Sequence, residues 1–129
     1  MNIKQNEATL GRPTGSRIID GPAVFTNLVE TVEKLRTEKA WETNVLNGIT
    51  VFKTNEVAIV CSLIKQGTHI RRNILSTPLS LLVLSGELEI TTEATKHILK
   101  PACLLNLHAG VQYDISAIRE TVLLQMTNG

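Results

Sequence analysis

From residue 49 onward, the hydrophobic and polar positions of this chain form short runs that predict β-strands rather than helices. Turn residues such as Ser85-Gly86 and Ala109-Gly110 separate these runs. Regularly spaced short strands are typical of an all-β sandwich or barrel. We therefore predict an all-β barrel over about residues 49–127. Its strands are expected at 49–53, 57–65, 79–85, 87–92, 96–100, 103–107, 112–116 and 119–126.

Two of these strands differ in the faces that they must bury. The run Glu87-Leu-Glu-Ile alternates polar and apolar residues, which predicts Leu88 and Ile90 on one buried face. By contrast, the run that begins at Leu79 is apolar on both faces. We expect the strand 79–85 to be covered twice, by the barrel interior on one side and by a second sheet or subunit on the other.

The region before the barrel predicts one amphipathic helix. Asp20-Gly-Pro22 is a helix start signal, with the proline in the first turn. Apolar residues then recur at helical spacing, at Val24, Phe25, Leu28, Val32 and Leu35. We expect a helix over about 23–39 whose apolar stripe packs on the outside of the barrel or on a partner subunit. Residues 1–18 are polar and rich in turn residues, which predicts a flexible arm before a single domain at 19–129.

The composition restricts the classes of partner and the location. The chain has 129 residues and a formal net charge of +1, so it provides no field that would attract nucleic acid or an anionic membrane. Its start lacks an apolar signal region, and its apolar runs are much shorter than the ~20 residues of a membrane helix. A cytoplasmic protein is expected. Cys61 and Cys103 show no metal or redox spacing and lie in apolar runs, which predicts two reduced core thiols.

A motif between Gly67 and Gly86 resembles the first motif of the cupin family, G-x5-H-x-H-x3-E-x6-G. Both glycines are in register, but the three ligand positions hold Asn73, Leu75 and Leu79.

The second cupin motif, G-x5-P-x-G-x2-H, is similar to the stretch from Ala102 to Tyr113. Gly110 is in place, His108 replaces the proline, and Tyr113 replaces the fourth metal ligand. The pattern is similar to small single-domain bacterial cupins with a helix and an Ala-Trp pair before the barrel, here Ala40-Trp41. This resemblance implies a double-stranded β-helix, the cupin or jelly-roll barrel.

The replaced positions determine the expected chemistry. Cupin enzymes commonly hold a divalent metal with imidazoles and a carboxylate, which suit borderline ions. The amide of Asn73 is a poor ligand for such ions, and Leu75 and Leu79 cannot ligate. Tyr113 would have to ionise, from a reference pKa near ~10, before it could bind well. We therefore expect neither a metal nor another cofactor.

The resemblance implies that Asn73, Leu75, Leu79 and Tyr113 line the barrel interior. A mostly apolar lining with two hydrogen-bonding groups is typical of a site for a small organic ligand. Arg71, in a basic patch with Lys65 and Arg72, would receive a carboxylate or phosphate of that ligand. Alternatively, the two leucines fill the barrel, because small barrels are often packed solid. The sequence leaves the choice between an open pocket and a filled core undecided.

Three functions remain in competition. The first is a metal-free cupin that works as a small-molecule-binding or sensor module. The second is a metal-independent enzyme with isomerase-like acid–base chemistry, for which Tyr113 and His108 are the candidate catalytic residues. His69, in a charged turn, and His97, in a hairpin, are expected to be solvated surface residues. The third is a purely structural homodimeric barrel, and the resemblance implies a homodimer in every case.

Overall fold

About half of the residues in this computed structural model, which describes residues 4–6 and 17–128, lie in β-strands. The strands are β1 (Lys4–Asn6), β2 (Arg17–Asp20), β3 (Leu46–Lys53), β4 (Ala58–Ile64), β5 (His69–Asn73), β6 (Leu79–Ser85), β7 (Leu88–Thr92), β8 (Lys96–Leu99), β9 (Leu104–Leu107), β10 (Tyr113–Ala117) and β11 (Thr121–Thr127). The helices are α1 (Leu28–Thr37) and α2 (Lys39–Thr43).

Two antiparallel sheets form the barrel. The larger sheet has five strands in the order β3-β4-β11-β6-β9, and the smaller has four in the order β5-β10-β7-β8. The apolar residues on their inner faces pack into one buried cluster, which includes Leu79, Leu81, Val83, Leu88, Ile90, Ile115 and Leu123. The predicted all-β double-stranded β-helix is therefore confirmed.

The pattern of burial follows the sequence in the two strands that we singled out. Leu88 and Ile90 are fully buried on the inner face of β7, as their alternation predicts. In β6, alternate residues from Leu79 onward are buried inside the barrel, and Leu82 and Leu84 between them are partly buried on the outside. Leu84 packs against the cluster below α1, so the chain's own helix covers part of this outer face.

Strand β5 is absent from the sequence prediction, which treated His69 as part of a charged turn. It pairs with β10 and forms an edge of the four-stranded sheet. Ile70 alone among its residues packs on the barrel core, while His69 and Arg71 are exposed. An edge strand with one inward apolar residue lacks the alternation of polar and apolar residues by which strands are recognised. The sequence pattern therefore did not predict β5.

The first helix begins later than predicted. Asp20 ends β2, and Pro22 therefore does not lie in a helical turn. The side chain of Asn27 caps α1 by accepting a hydrogen bond of 3.2 Å from the backbone N–H of Glu30. The start predicted at residue 23 was wrong, because this local cap outweighs the apolar spacing before it. Phe25 consequently precedes the helix and is 90% exposed.

The rest of the apolar stripe packs as expected. Leu35 is fully buried, and the second apolar cluster joins it to Ile49, Cys61, Leu63 and Val122 on the outer face of the five-stranded sheet. The side-chain amide of Asn47 donates to the carbonyl oxygen of Leu35 at 2.9 Å, so β3 also binds the end of α1.

Of the two thiols, one is placed as predicted. Cys61 is buried below α1, and this burial raises the pKa of its thiol. Cys103 is exposed because it lies in the turn before β9 rather than inside a strand. The prediction of two core thiols is therefore wrong for Cys103.

The predicted arm at 1–18 lies mostly outside the described residues. Within it, Lys4–Asn6 pairs antiparallel with Arg17–Asp20, and the flexibility of the arm stays a prediction. No helix among the described residues is long and apolar enough to cross a membrane. The cytoplasmic location likewise stays a prediction.

The turn at Gly86 is held by a tight approach of two chain segments. Gly86 has φ +90°, and a Cβ there would overlap the carbonyl oxygen of Glu120 and lie 2.6 Å from the Cα of Thr121. The buried hydroxyl of Thr121 accepts from the N–H of Glu87 at 3.0 Å and donates to the carbonyl of Arg119 at 2.8 Å. The motif glycine therefore permits the close packing of the β6–β7 turn on the start of β11.

We expect Gly86→Ala to lower the free energy of unfolding by about 3 kcal/mol or more, because it combines left-handed backbone strain with a steric overlap. Gly67→Ala is the matched control. Gly67 has a similar φ of +85°, but its added Cβ meets nothing within 4 Å, so we expect a loss of only about 1 kcal/mol. Urea unfolding of both variants measures the difference. An equal loss of unfolding free energy in the two variants would show that the structure relieves the overlap at Gly86 without cost.

Candidate functional site

The structure brings together the four residues at the cupin metal positions. Asn73 and Tyr113 are register partners across β5 and β10. Leu79 and Tyr113 both belong to the buried interior cluster, with exposed fractions of 3% and 6%, and Leu75 packs against that cluster. Leu79 and Tyr113 are therefore core residues of the barrel, whereas Asn73 and Leu75 are only partly buried. The role of this set in ligand binding stays a prediction.

The side chain of Asn73 forms hydrogen bonds with backbone carbonyl groups. Its Nδ2 donates to the carbonyl oxygen of Ile70 at 3.2 Å and to that of Tyr113 at 3.4 Å. These bonds connect the end of β5 to β10, where the register between the two strands shifts. Asn73 thus stabilises an irregular strand pairing that the ladder alone does not satisfy.

Tyr113 is held in its neutral form by its surroundings. Burial raises the pKa of its phenol above the ordinary value, because the apolar interior disfavours the phenolate. Its hydroxyl has no hydrogen-bond partner within the described residues. At neutral pH it is therefore protonated and is not an anionic ligand.

The residues present do not fit the metal that cupin enzymes hold. Two of the four positions are leucines without a lone pair, one is a protonated phenol, and the last is an amide that binds backbone carbonyls. Within residues 4–6 and 17–128, no group of three or more His, Cys, Asp or Glu side chains could hold an ion. Borderline divalent metals need imidazole, thiolate or carboxylate donors, and this donor set lacks them.

The other two predicted site residues, Arg71 and His108, are exposed. Arg71 is exposed on β5, next to Arg72, whose left-handed φ of 58° lets its N–H donate to the Asp114 carboxylate at 2.8 Å. His108 lies in the turn after β9 and is exposed. No hydrogen bond joins it to Tyr113 in the described part of the chain. The candidate acid–base pair is therefore not assembled here and stays a prediction.

His108 instead contributes to a surface crevice of about 250 Å³, which we term the β6–β9 crevice. Its lining residues are Pro78, Leu79, Ser80, Asn106, Leu107 and His108. The hydroxyl of Ser80 donates to Oδ1 of Asn106 at 2.6 Å, which leaves the Asn106 NH₂ group as a donor. The crevice thus combines apolar side chains with the amide and imidazole of two polar residues.

Sequence reasoning missed Ser80 and Asn106. They are 26 positions apart and share the crevice because β6 and β9 pair in a register that sets them opposite each other. Neither residue type is distinctive, and no spacing in the sequence joins them. Only the pairing of β6 with β9 shows that these two residues are neighbours.

The remaining histidines are on the surface. His69 lies in β5, and its Nδ1 is 2.8 Å from the hydroxyl of Ser116 on the exposed face of the four-stranded sheet. His97 lies in β8 and is exposed, as predicted, with its Nε2 3.0 Å from the hydroxyl of Thr95.

Solved structures with the same architecture identify the fold. A cupin superfamily protein from Desulfitobacterium hafniense matches with 22% identity and a TM-score of 0.62, over 66% of this chain and 78% of that one. A cupin-2 domain protein from Shewanella frigidimarina matches with 11% identity and a TM-score of 0.66, over 81% of this chain and 94% of that one. This chain has a cupin fold.

An enzyme also shares the cupin fold of this chain. Salicylate 1,2-dioxygenase from Pseudoaminobacter salicylatoxidans matches with 12% identity and a TM-score of 0.70, over 95% of this chain and 37% of that longer protein. No protein-family model and no curated protein sequence matches the chain. The likeness to these cupins therefore establishes the fold and leaves the activity open.

The buried phenol makes alkaline pH a test of the interior packing. Because the folded-state pKa of Tyr113 is raised, the unfolded chain loses its proton first, and stability falls as pH rises above about 10. We expect Tyr113→Phe to unfold like the wild type near neutral pH and to lose less stability between about pH 8 and about pH 10.5. Urea unfolding at both pH values measures this.

Burial also raises the pKa of the Cys61 thiol from 9.0, so this group too makes the free energy of unfolding fall as pH rises. The wild type and Tyr113→Phe both contain Cys61. The difference between wild type and Tyr113→Phe therefore isolates the phenol. Parallel pH profiles for the two proteins would show that Tyr113 is not buried in the neutral form.

Proposed function

We propose that this protein is a metal-free cupin that binds a small organic molecule without converting it, as a binding or sensor module. The observation that carries the proposal is the use of the four metal positions for packing and backbone hydrogen bonds. Leu79 and Tyr113 are buried in the interior cluster, Leu75 packs against it, and the amide of Asn73 binds two carbonyl oxygens. This packing favours a ligand site at the edge of the barrel rather than along its axis.

The β6–β9 crevice is the seat that the geometry supports best. Asn106 and His108 offer donors beside the exposed Pro78 and the partly buried Leu107. Donors beside an apolar wall suit a small carboxylate whose hydrocarbon part lies on that wall. An aromatic carboxylate is the favoured class, and the likeness to a salicylate dioxygenase supports that choice. Arg71, exposed on the opposite sheet, has no part in this seat.

The enzyme alternative has weaker support. Acid–base catalysis needs donor and acceptor groups within hydrogen-bonding reach of the same substrate atoms. Tyr113 is a buried core residue, whereas His108 lies on an exposed turn, and the two side chains are not hydrogen-bonded. Binding without turnover requires only the crevice.

Self-association is the second part of the proposal. The outer face of the five-stranded sheet is apolar beyond the area that α1 covers, and Leu104 at its edge is 55% exposed. A monomer rarely leaves such a surface in water. We propose a homodimer, located in the cytoplasm, without nucleic-acid or membrane partners.

Titration of ¹⁵N-labelled protein with salicylate and with benzoate tests the ligand seat. We expect both to shift amide resonances of residues 79–80 and 106–108. His108→Ala is expected to weaken binding by about tenfold, because it removes one charge-assisted hydrogen bond. His97→Ala, another exposed histidine, is the control and should bind like the wild type.

Two results would contradict the seat. One is the absence of any shift at millimolar carboxylate. The other is a set of shifts centred on Leu75 and Tyr113, which would place the ligand inside the barrel. Unchanged affinity of His108→Ala would remove His108 from the site.

A further inference from the structure

Two polar side chains meet across the strands that form the β6–β9 crevice. Ser80 lies in β6 and Asn106 lies directly opposite in β9, so both side chains are on the same face of the sheet. The hydroxyl of Ser80 donates to Oδ1 of Asn106 at 2.6 Å. Both residues line the crevice, so this hydrogen bond belongs to the wall that a ligand would touch.

The length of this hydrogen bond identifies the atoms that form it. A distance of 2.6 Å lies within the range of O–H···O bonds and below the range of N–H···O bonds. With the amide turned over, Nδ2 would lie at that distance, which is too short for a nitrogen donor. The oxygen of Asn106 therefore faces Ser80, and its NH₂ group is left for a ligand.

The neighbours of the pair do not compete for this hydrogen bond. Met126 of β11 is the register partner of Ser80 on its other side, and Leu82 is the next residue of β6 on the same face. β9 is an edge strand of its sheet, so Asn106 has a neighbouring strand on one side alone. Within the described residues, no hydrogen bond uses the NH₂ group of Asn106. Ser80 therefore fixes the amide while its donor stays available.

The orientation of an asparagine amide determines which ligands it can bind. Asn106 presents a donor to the crevice, because its oxygen faces Ser80. A carboxylate offers acceptors alone and matches this donor, whereas an amidinium group offers donors alone and does not. A neutral carboxamide has one acceptor and one donor group, so it can pair with either orientation of the amide.

We propose that Ser80 is the positioning residue that makes the β6–β9 crevice selective for carboxylates. Ser80 acts through Asn106, whose NH₂ group it holds toward the ligand. This selectivity rests on the ligand seat of the proposed function and specifies the feature that selects its ligand class. A donor that is held in place before binding loses little freedom when the ligand arrives, and the cost of association is lower for that reason.

The orientation of the amide can be measured in the free protein. The ¹H–¹⁵N heteronuclear NOE of the Asn106 NH₂ group reports its motion on the ps–ns timescale. We expect the wild-type value to be close to that of the β9 backbone and to fall clearly in Ser80→Ala. A mobile Asn106 amide in the wild type would overturn the role of Ser80, whichever ligand the crevice binds.

Titration with benzoate and with benzamide, which have the same shape and differ in charge, tests the selectivity. Ser80→Ala should weaken benzoate about fivefold, the cost of ordering one freed side chain, and benzamide by less than about twofold. Ser80→Thr keeps the hydroxyl and should bind both compounds like the wild type. Ser85→Ala removes an exposed hydroxyl from the same strand and is the matched control, with both affinities unchanged.

The outcomes separate this role from the proposed seat. An equal loss of affinity for both compounds in Ser80→Ala would show that Ser80 supports the edge strand and does not select the ligand. Failure of Ser80→Thr to keep benzoate binding would also overturn the role of its hydroxyl. A wild type that binds neither compound at millimolar concentration would overturn the seat itself.

Asn106→Asp replaces the donor by an acceptor of the same size. The new carboxylate can still accept from Ser80, while its second oxygen faces the ligand. Benzoate should bind about tenfold more weakly or worse, because like charges meet in the crevice, and benzamidine should bind instead. Asn44→Asp makes the same change of charge at an exposed position elsewhere and should keep the wild-type affinities. If Asn106→Asp still prefers benzoate to benzamidine, Asn106 does not select the ligand.

Discussion

Aliphatic packing along the barrel axis is the constraint on which the rest of this structure depends. Two sheets cover one interior, and Leu79, Ile90 and Tyr113 belong to the buried cluster that joins them. Loss of one buried leucine in such a core typically costs about 2–5 kcal/mol. A set of imidazoles and a carboxylate in the same place would have to be desolvated and compensated by an ion. The leucines at the motif positions therefore stabilise the barrel by packing and need no ion to compensate them.

The same packing is the reason for which we propose a function on the outside of the barrel. The five-stranded sheet offers its edge and its outer face. At the edge, Ser80 and Asn106 are joined by a hydrogen bond beside His108. On the outer face, α1 covers Cys61 and Leu63 but leaves grooves on its flanks. The proposed ligand seat and the proposed contact between copies occupy these two separate regions.

The fold could be predicted from the sequence where burial repeats with a regular period. Leu88 and Ile90 alternate with glutamates, and the glycines at 67 and 86 mark turns with positive φ. β5 could not be predicted, because Ile70 is its only residue packed on the core. The start of α1 depends on the cap by Asn27, which is a local bond rather than a repeat. The crevice depends on the register of β6 with β9, which no spacing in the sequence encodes.

Metal content tests the central claim most directly. Untagged protein is purified without chelators and incubated with iron, manganese, zinc and nickel in turn. After desalting, its metal content is measured by inductively coupled plasma mass spectrometry. A barrel with leucines at two ligand positions and a protonated Tyr113 at a third should retain less than about 0.1 ion per chain. Retention of one ion per chain for any of these metals would contradict the account.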